Sequence, residues 1–306
     1  MFTLRKTLKP SSLITTIHRS ITSATRPEPS TTAEYDDLIT TAGKNKDFTT
    51  ISSLLTQRYN KGIFTTNNTF KFISKDLTAI NDLQKTISDL NGNTRKKAFE
   101  SLVACLCKFN FVDQALTTAE LAADESAADV TTFHPILSVL TRRKDFERAW
   151  RVVDVIKAKK IPRDVMCYNF FLTAYAFTGN LRPCVDVLRK MAEEGLKADA
   201  RTYDALVLGA CKQGKMGGAI VIMRKMVESG VEPIYATYAH VIGGMVKLGL
   251  YTQAVKFVMS FAGKDKKLDS HNFGLLAVRL MAKKQTDEAE SVMEEMAKRG
   301  LVMARP

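Results

Sequence analysis

Residues 200–234, ARTYDALVLGACKQGKMGGAIVIMRKMVESGVEPI, carry two short apolar stripes separated by a break. Tyr203, Leu206, Val207 and Ala210 stand at i, i+3, i+4 and i+7, one face of an α-helix. Gly214 interrupts the pattern. Ala219, Ile222, Met223 and Met226 then repeat the spacing, and Gly230 with Pro233 closes the stretch with breaker residues. The segment reads as a hairpin of two helices, and its register recurs along the chain. Phe99, Phe133, Tyr168, Tyr203, Tyr238 and Phe273 are separated by 34, 35, 35, 35 and 35 residues. Three places after each comes an apolar residue (Leu102, Ile136, Phe171, Leu206, Val241, Leu276). Sixteen places after each comes a small one: Ala115, Ala149, Cys184, Ala219, Ala254, Ala289. A fixed period of this length marks a repeat architecture. One such hairpin cannot cover its own apolar face, so the predicted fold is an all-α solenoid of stacked helix-turn-helix units.

Upstream the period weakens but persists, with Tyr35 and Phe70 35 residues apart and Gly62-Ile63 placed like Gly230-Val231. The units expected are 32–66, a shortened degenerate one at 67–95, then 96–129, 130–164, 165–199, 200–234, 235–269 and 270–304. No further domain is expected after them. The composition, 45% apolar and 25% charged, is that of a globular protein, and no stretch approaches the ~18 uninterrupted apolar residues of a membrane span. Lys and Arg number 45 against 32 Asp and Glu, a net charge of +13 that points to a polyanionic partner. Five of the basic residues, Arg5, Lys6, Lys9, Arg19 and Arg26, precede the first acid, Glu28. Residues 1–27 are also rich in Ser and Thr with interspersed Leu and Ile, the make-up of a mitochondrial transit peptide and hence of a matrix protein. Without that segment 40 basic residues face 32 acidic ones, a net of +8.

The stretch 164–199, DVMCYNFFLTAYAFTGNLRPCVDVLRKMAEEGLKAD, resembles a pentatricopeptide repeat, with its Tyr-Asn start and its Met-x-x-x-Gly-hydrophobic finish. Units 200–234 and 270–304 look like it too, and the likeness extends over 130–304 and, more loosely, 32–129. The Trp…Leu-Gly…Tyr pattern of tetratricopeptide repeats is absent. Departures are Cys184 in place of Ala, Asp265 in place of Gly, and the shortened second unit. The resemblance is to plain, organellar arrays of the family. It implies a right-handed superhelix whose first helices line a concave groove for single-stranded RNA, about one base per repeat. It also implies that the fifth and last residues of a unit read the base. Asn169 with Asp199 matches a pyrimidine pairing with uracil preferred, and His134 with Asp164 and Asp204 with Ile234 are less usual combinations. Glu100 with Asp129 would place two acids in the groove, and Ala239 with Asp269 and Gly274 with Ala304 offer no reading side chain in the fifth place. The base-reading candidates are therefore Asn169, Asp199, Asp204, His134 and Asp164.

Independently of that code, Lys108, Arg142, Lys212 and Lys247 share one register at the end of the first helix. A cation there stabilises a helix C-terminus by ~0.3–1 kcal/mol and can also contact RNA phosphates. Basic clusters at Arg95-Lys96-Lys97, Arg142-Arg143-Lys144, Lys157 to Arg163 and Lys264 to Lys267 lie near unit edges.

Signs of catalysis are lacking. Residues 209–215, GACKQGK, look like most of a phosphate-binding P-loop, but Met216 stands where Ser or Thr must bind magnesium and a helix precedes them. The five cysteines form no Cys-x-x-Cys pair, the four histidines are scattered, and no deaminase-type His-x-Glu…Cys-x-x-Cys set appears. No enzyme, metal, cofactor or small-molecule substrate is expected. The function expected is that of a mitochondrial protein holding single-stranded RNA, mRNA or rRNA, in support of processing, stability or translation. The alternatives are a structural component of the mitochondrial ribosome, or a protein-binding scaffold using the groove or the last helix at 287–299, which lacks an obvious polar cap.

Overall fold

The computed structural model describes residues 29–263 and 265–302; the expected leader at 1–27 lies outside them. Fifteen α-helices and one 3-10 turn, with no strand, account for the regular structure among the described residues. They run α1 (Thr32–Lys44), α2 (Phe48–Asn60), the 3-10 turn (Lys71–Ser74), α3 (Ala79–Ser88), α4 (Gly92–Lys108), α5 (Val112–Asp124), α6 (Val130–Arg142) and α7 (Phe146–Ala158). There follow α8 (Val165–Phe177), α9 (Arg182–Glu193), α10 (Ala200–Lys212), α11 (Met216–Glu228), α12 (Tyr235–Lys247), α13 (Tyr251–Phe261), α14 (Lys266–Ala282) and α15 (Thr286–Lys298). No helix among them is long and apolar enough to cross a membrane.

The recurrent aromatics are why these hairpins stack. Phe99, Phe133, Tyr168, Tyr238 and Phe273 are buried, with Tyr203 at the margin, and so are the small residues sixteen places on. Consecutive first helices (α4, α6, α8, α10, α12, α14) pack directly on one another, while the second helices touch one another far less. An inner row in close contact and an outer row that splays curves the array, with the first helices on the concave side. The result is an α-solenoid. Its apolar core runs as one cluster from Tyr35 to Ala205 and a second from Val207 to Met296, with Leu181 packed against both.

Turn chemistry explains where helices stop. Gly214 (φ +71) ends α10, with its N–H donating to Cys211 O at 3.1 Å and the Lys215 N–H to Ala210 O at 2.9 Å. Gly230 (φ +74) closes α11 in the same way. Helix starts depend on carboxylates. Asp129, Asp164 and Asp199 cap α6, α8 and α10 by accepting the backbone N–H of Thr131, Cys167 and Thr202.

Two expected unit boundaries fall inside helices. The boundary at 269/270 lies within α14, because Gly263 (φ +102) takes the left-handed place that Asp265 vacates. Asp265 instead caps α14 from the Lys267 and Leu268 N–H groups, at 2.8 and 3.2 Å, and the helix begins four residues early. Asp269, expected to close a unit, is buried in that first turn and accepts the Gly263 N–H at 2.8 Å. Likewise α4 starts at Gly92, ahead of the 95/96 boundary. The last helix corrects the expectation of a missing cap: α15 buries Ala289, Val292 and Met296 and exposes Asp287, Glu290, Glu294 and Lys298.

In the shortened second unit a 3-10 turn replaces the first helix, and a buried ion pair of the first unit lies against it. Arg58 is fully buried and donates to Asp36 Oδ1 at 2.7 Å, Thr69 Oγ1 at 3.2 Å and the Phe64 carbonyl at 2.6 Å. Thr66 and Thr69 donate to the two Asp36 oxygens at 3.0 and 2.8 Å. The network ties α1, α2 and the loop at 64–70 together.

Asp36→Ala strands the Arg58 charge, a loss of ~3–5 kcal/mol for a broken buried pair. Because repeats communicate mainly with neighbours, hydrogen exchange should accelerate across α1 to α3 and stay unchanged in α8 to α15. A second expectation concerns acid. Burial raises the Asp129 pKa, but hydrogen bonds from Lys96 and Thr131 outweigh it and hold the carboxyl at about 2, below its ordinary 3.8. Ionised Asp129 thus favours the folded state above pH ~3.8, and that stabilisation disappears as the pH falls toward 2. Urea unfolding followed by the fluorescence of Trp150, the single tryptophan, should lose less stability across that window in Asp129→Asn than in the native chain.

Candidate nucleic-acid interface

The strongest candidate pair is joined directly. Asn169 Nδ2 donates to Asp199 Oδ1 at 2.9 Å, and Thr202 Oγ1 lies 2.7 Å from Asn169 Oδ1 and 2.9 Å from Asp199 Oδ1. Asn169 is only 3% exposed, but its amide lines an open cavity between α6, α8 and α10. The Asp199 carboxyl is pushed up by burial but pulled further down by the hydrogen bonds from Thr202 and Asn169, so its pKa lies below the ordinary value and it stays ionised.

The other pairs divide. His134 Nε2 lies 3.1 Å from Asp164 Oδ1, with the imidazole edge-on to Phe170, so this combination is also a bonded pair. Asp204 does not pair with Ile234; it accepts from Thr237 Oγ1 at 2.8 Å and lies 3.7 Å from His240 Nε2. Glu100 and Asp129 do not stand as two bare acids: Lys97 Nζ reaches Glu100 at 2.6 Å and Lys96 reaches Asp129. Ala239 has no carboxylate opposite, since Asp269 sits inside α14. Ala304 lies outside the described residues.

A residue class that the sequence reading passed over completes these contacts. The third place of each of the last five units holds Thr132, Cys167, Thr202, Thr237 and Asn272, all buried. Thr202 and Thr237 each bond the fifth residue of the preceding unit. Asn272 Oδ1, behind Ala239, has no hydrogen-bond partner among the described residues, and neither has Thr132 Oγ1, although the carboxylate Glu100 holds the preceding fifth place. The recurrence of Thr at one place of three units was the signal available.

The four helix-end cations Lys108, Arg142, Lys212 and Lys247 are exposed last residues of α4, α6, α10 and α12. None forms an ion pair with a carboxylate among the described residues; Lys108 reaches the Asn68 side-chain carbonyl, Arg142 Nε the Ser138 carbonyl at 3.1 Å, and Lys212 Nζ lies 4.8 Å from the Phe177 ring centroid. Five cations of the edge clusters contrast with them. Arg95 pairs with Glu125, Lys96 with Asp129, Lys97 with Glu100, Lys159 with Asp124, and Arg163 with Glu194. Those charges are internally neutralised, whereas the helix-end row is free to meet an anion.

No catalytic constellation accompanies the row among the described residues. Residues 209–215 form the end of α10 and its turn, with Gly209 packed so closely on Leu181 that a Cβ would come within 2.3 Å of it. Gly209 serves helix packing and Gly214 the turn, rather than a phosphate cradle. His134, Asp164 and Cys167 could bring three ligand atoms together. Burial pushes the Cys167 thiol up to about 12, and Asp164 Oδ1 already accepts the Cys167 N–H at 3.0 Å and lies 3.1 Å from His134 Nε2. Cys105 and Cys107 are likewise held near 12 by burial, Cys184 and Cys211 near 11.

Known proteins share this repeat. A family profile described as "PPR repeat family" matches residues 163–212, one described as "Pentatricopeptide repeat-containing protein" matches 75–187, and "PPR repeat" matches 201–231 and 280–301. A pentatricopeptide repeat-containing protein of Arabidopsis thaliana, named as mitochondrial, is 41% identical over 285 residues, covering 90% of this chain and 81% of the relative. A second such Arabidopsis protein, also named as mitochondrial, is 42% identical over 277 residues, covering 89% and 79%. Among solved structures, the pentatricopeptide repeat protein PPR10 from maize superposes with a TM-score of 0.54 at 19% identity, over 88% of this chain and 39% of that one, a likeness of fold. With its 35-residue hairpins, its stacked first helices and relatives of this similarity along nearly its whole length, the chain belongs to the pentatricopeptide repeat family.

Proposed function

We propose that the chain is a mitochondrial RNA-binding protein that holds a single strand along its concave row of first helices. The observation that carries this reading is the line of exposed, unpaired cations at Lys108, Arg142, Lys212 and Lys247, repeating at the spacing of the units. A polyanion with a regular charge spacing is the natural complement of such a row. Base reading would rest on Asn169, whose amide keeps one N–H and one lone pair after bonding Asp199 and Thr202. His134 with Asp164, and Asp204, would contribute more weakly, since each already spends its polar atoms on neighbours. Mitochondrial residence draws support from the names of the two Arabidopsis relatives and from the basic, acid-free residues 1–27. The role that follows is to protect an RNA or to assist its processing or translation in the matrix.

Crosslinking the chain in isolated mitochondria and sequencing the bound RNA tests this. Discrete sites in messenger RNA support the reading, ribosomal RNA alone would assign the chain to the ribosome, and no recovered RNA would overturn RNA binding. In titrations against salt, each phosphate contact on a single strand contributes ~0.7 to the slope of log K on log salt. The triple variant Arg142→Ala, Lys212→Ala, Lys247→Ala should flatten that slope by about 2. Asn169→Ala should change the base preferred opposite its unit, and an unchanged preference would remove Asn169 from the reading set.

A further inference from the structure

The row of helix-end cations is interrupted once before it ends at Ala282, the last residue of α14. The place held by Lys108, Arg142, Lys212 and Lys247 in other units is Phe177 in the unit built from α8 and α9. A phenylalanine there gives up the favourable interaction of a cation with the helix C-terminus, and α8 has no other basic residue in its last turn. Its ring is nonetheless 64% exposed, so core packing does not require it. A lone exposed aromatic needs no explanation, but this one is not alone. Phe177 borders the cavity of ≈ 560 Å³ between α6, α8 and α10, whose lining includes Met166, Asn169, Phe170 and Ala174. That lining includes no carboxylate, and it holds the cations Arg142, Lys144 and Arg201. The volume falls in the range of pockets that enclose a small organic ligand.

Lys212, next in the row, has its Nζ 4.8 Å from the Phe177 ring centroid. Beside it, Gln213 Nε2 donates to the Gly179 carbonyl at 2.6 Å, and the Lys212 Cβ lies near Gly179. A flat apolar ring therefore sits between two cations, Arg142 of the preceding unit and Lys212 of the following one. That is the combination by which a single strand is held: an aromatic face for a base and flanking charges for its phosphates.

We propose that Phe177 is a stacking platform for one unstacked base of single-stranded RNA, received in the cavity above Asn169 while Arg142 and Lys212 take the adjoining phosphates. The proposal rests on the RNA-binding reading above and adds to it a specific contact, base stacking in place of a phosphate contact at this one unit.

The test compares two probes on the full chain, a uridine homopolymer and an abasic ribose-phosphate polymer of the same length. Native protein should prefer the homopolymer. In Phe177→Ala that preference should shrink roughly 5- to 100-fold, the range for loss of one stacked base, with affinity for the abasic polymer unchanged. Phe177→Trp should keep the preference. Phe177→Lys should lose it and steepen the salt slope by ~0.7, because it adds one cation to the row. An unchanged preference in Phe177→Ala overturns the platform and leaves RNA binding intact, as does equal binding of both probes by the native chain. If the native chain binds neither probe, the RNA reading itself fails. Because the ring is largely exposed, circular dichroism should show the same helix content and melting in all variants, which separates a binding effect from a folding one.

Discussion

A hairpin of about 35 residues with apolar side chains on both flanks cannot be stable by itself, and everything else in this chain depends on that constraint. The aromatic on each first helix and the small residue at the start of each second helix must meet the next hairpin in one register. Burying those contacts in succession sets the spacing of the units, and with it the spacing of every polar group on the concave face. A row of cations at one place per unit is thus a geometrical product of the core. The charges were not placed one by one; the period placed them.

Much of this could be read from the residues alone. The aromatic series fixed the helix pairs because burial is periodic and exposure is not. The end of the first helix could be located well enough to pick out Lys108, Arg142, Lys212 and Lys247. Other features escaped for physical reasons. Charge clusters look alike whether or not they are paired, and partners one unit away, such as Lys159 with Asp124 or Lys71 with Asp37, become visible only once the stacking register is applied to the acids as well. The early start of α14 escaped because helix boundaries depend on caps, and Asp265 can be read either as an irregular turn residue or as a cap. Thr202 and Thr237 looked like ordinary helix residues, since their hydroxyl partners lie on a neighbouring unit.

The carboxylates at the unit junctions carry two tasks. Asp164 and Asp199 each end a loop by capping the next helix and also hold the side chain at the fifth place of their own unit. The helix start and the groove-facing polar group are therefore coupled, and a substitution at either Asp disturbs folding and recognition together. Asp265 and Asp269 show the alternative: the cap moves four residues upstream, and the preceding fifth place, Ala239, has nothing to hold.

The Asn169 amide has a consequence of its own. An amide can point either way round, and a free one presents its donor and acceptor in both orders. Here an ionised carboxylate that can only accept stands on one side, and the Thr202 hydroxyl lies against the amide oxygen on the other. Turning the group over would set oxygen against oxygen, so only one orientation survives. The rotational entropy of that choice is surrendered when the chain folds and not when a ligand arrives, so the amide meets its partner as a rigid template.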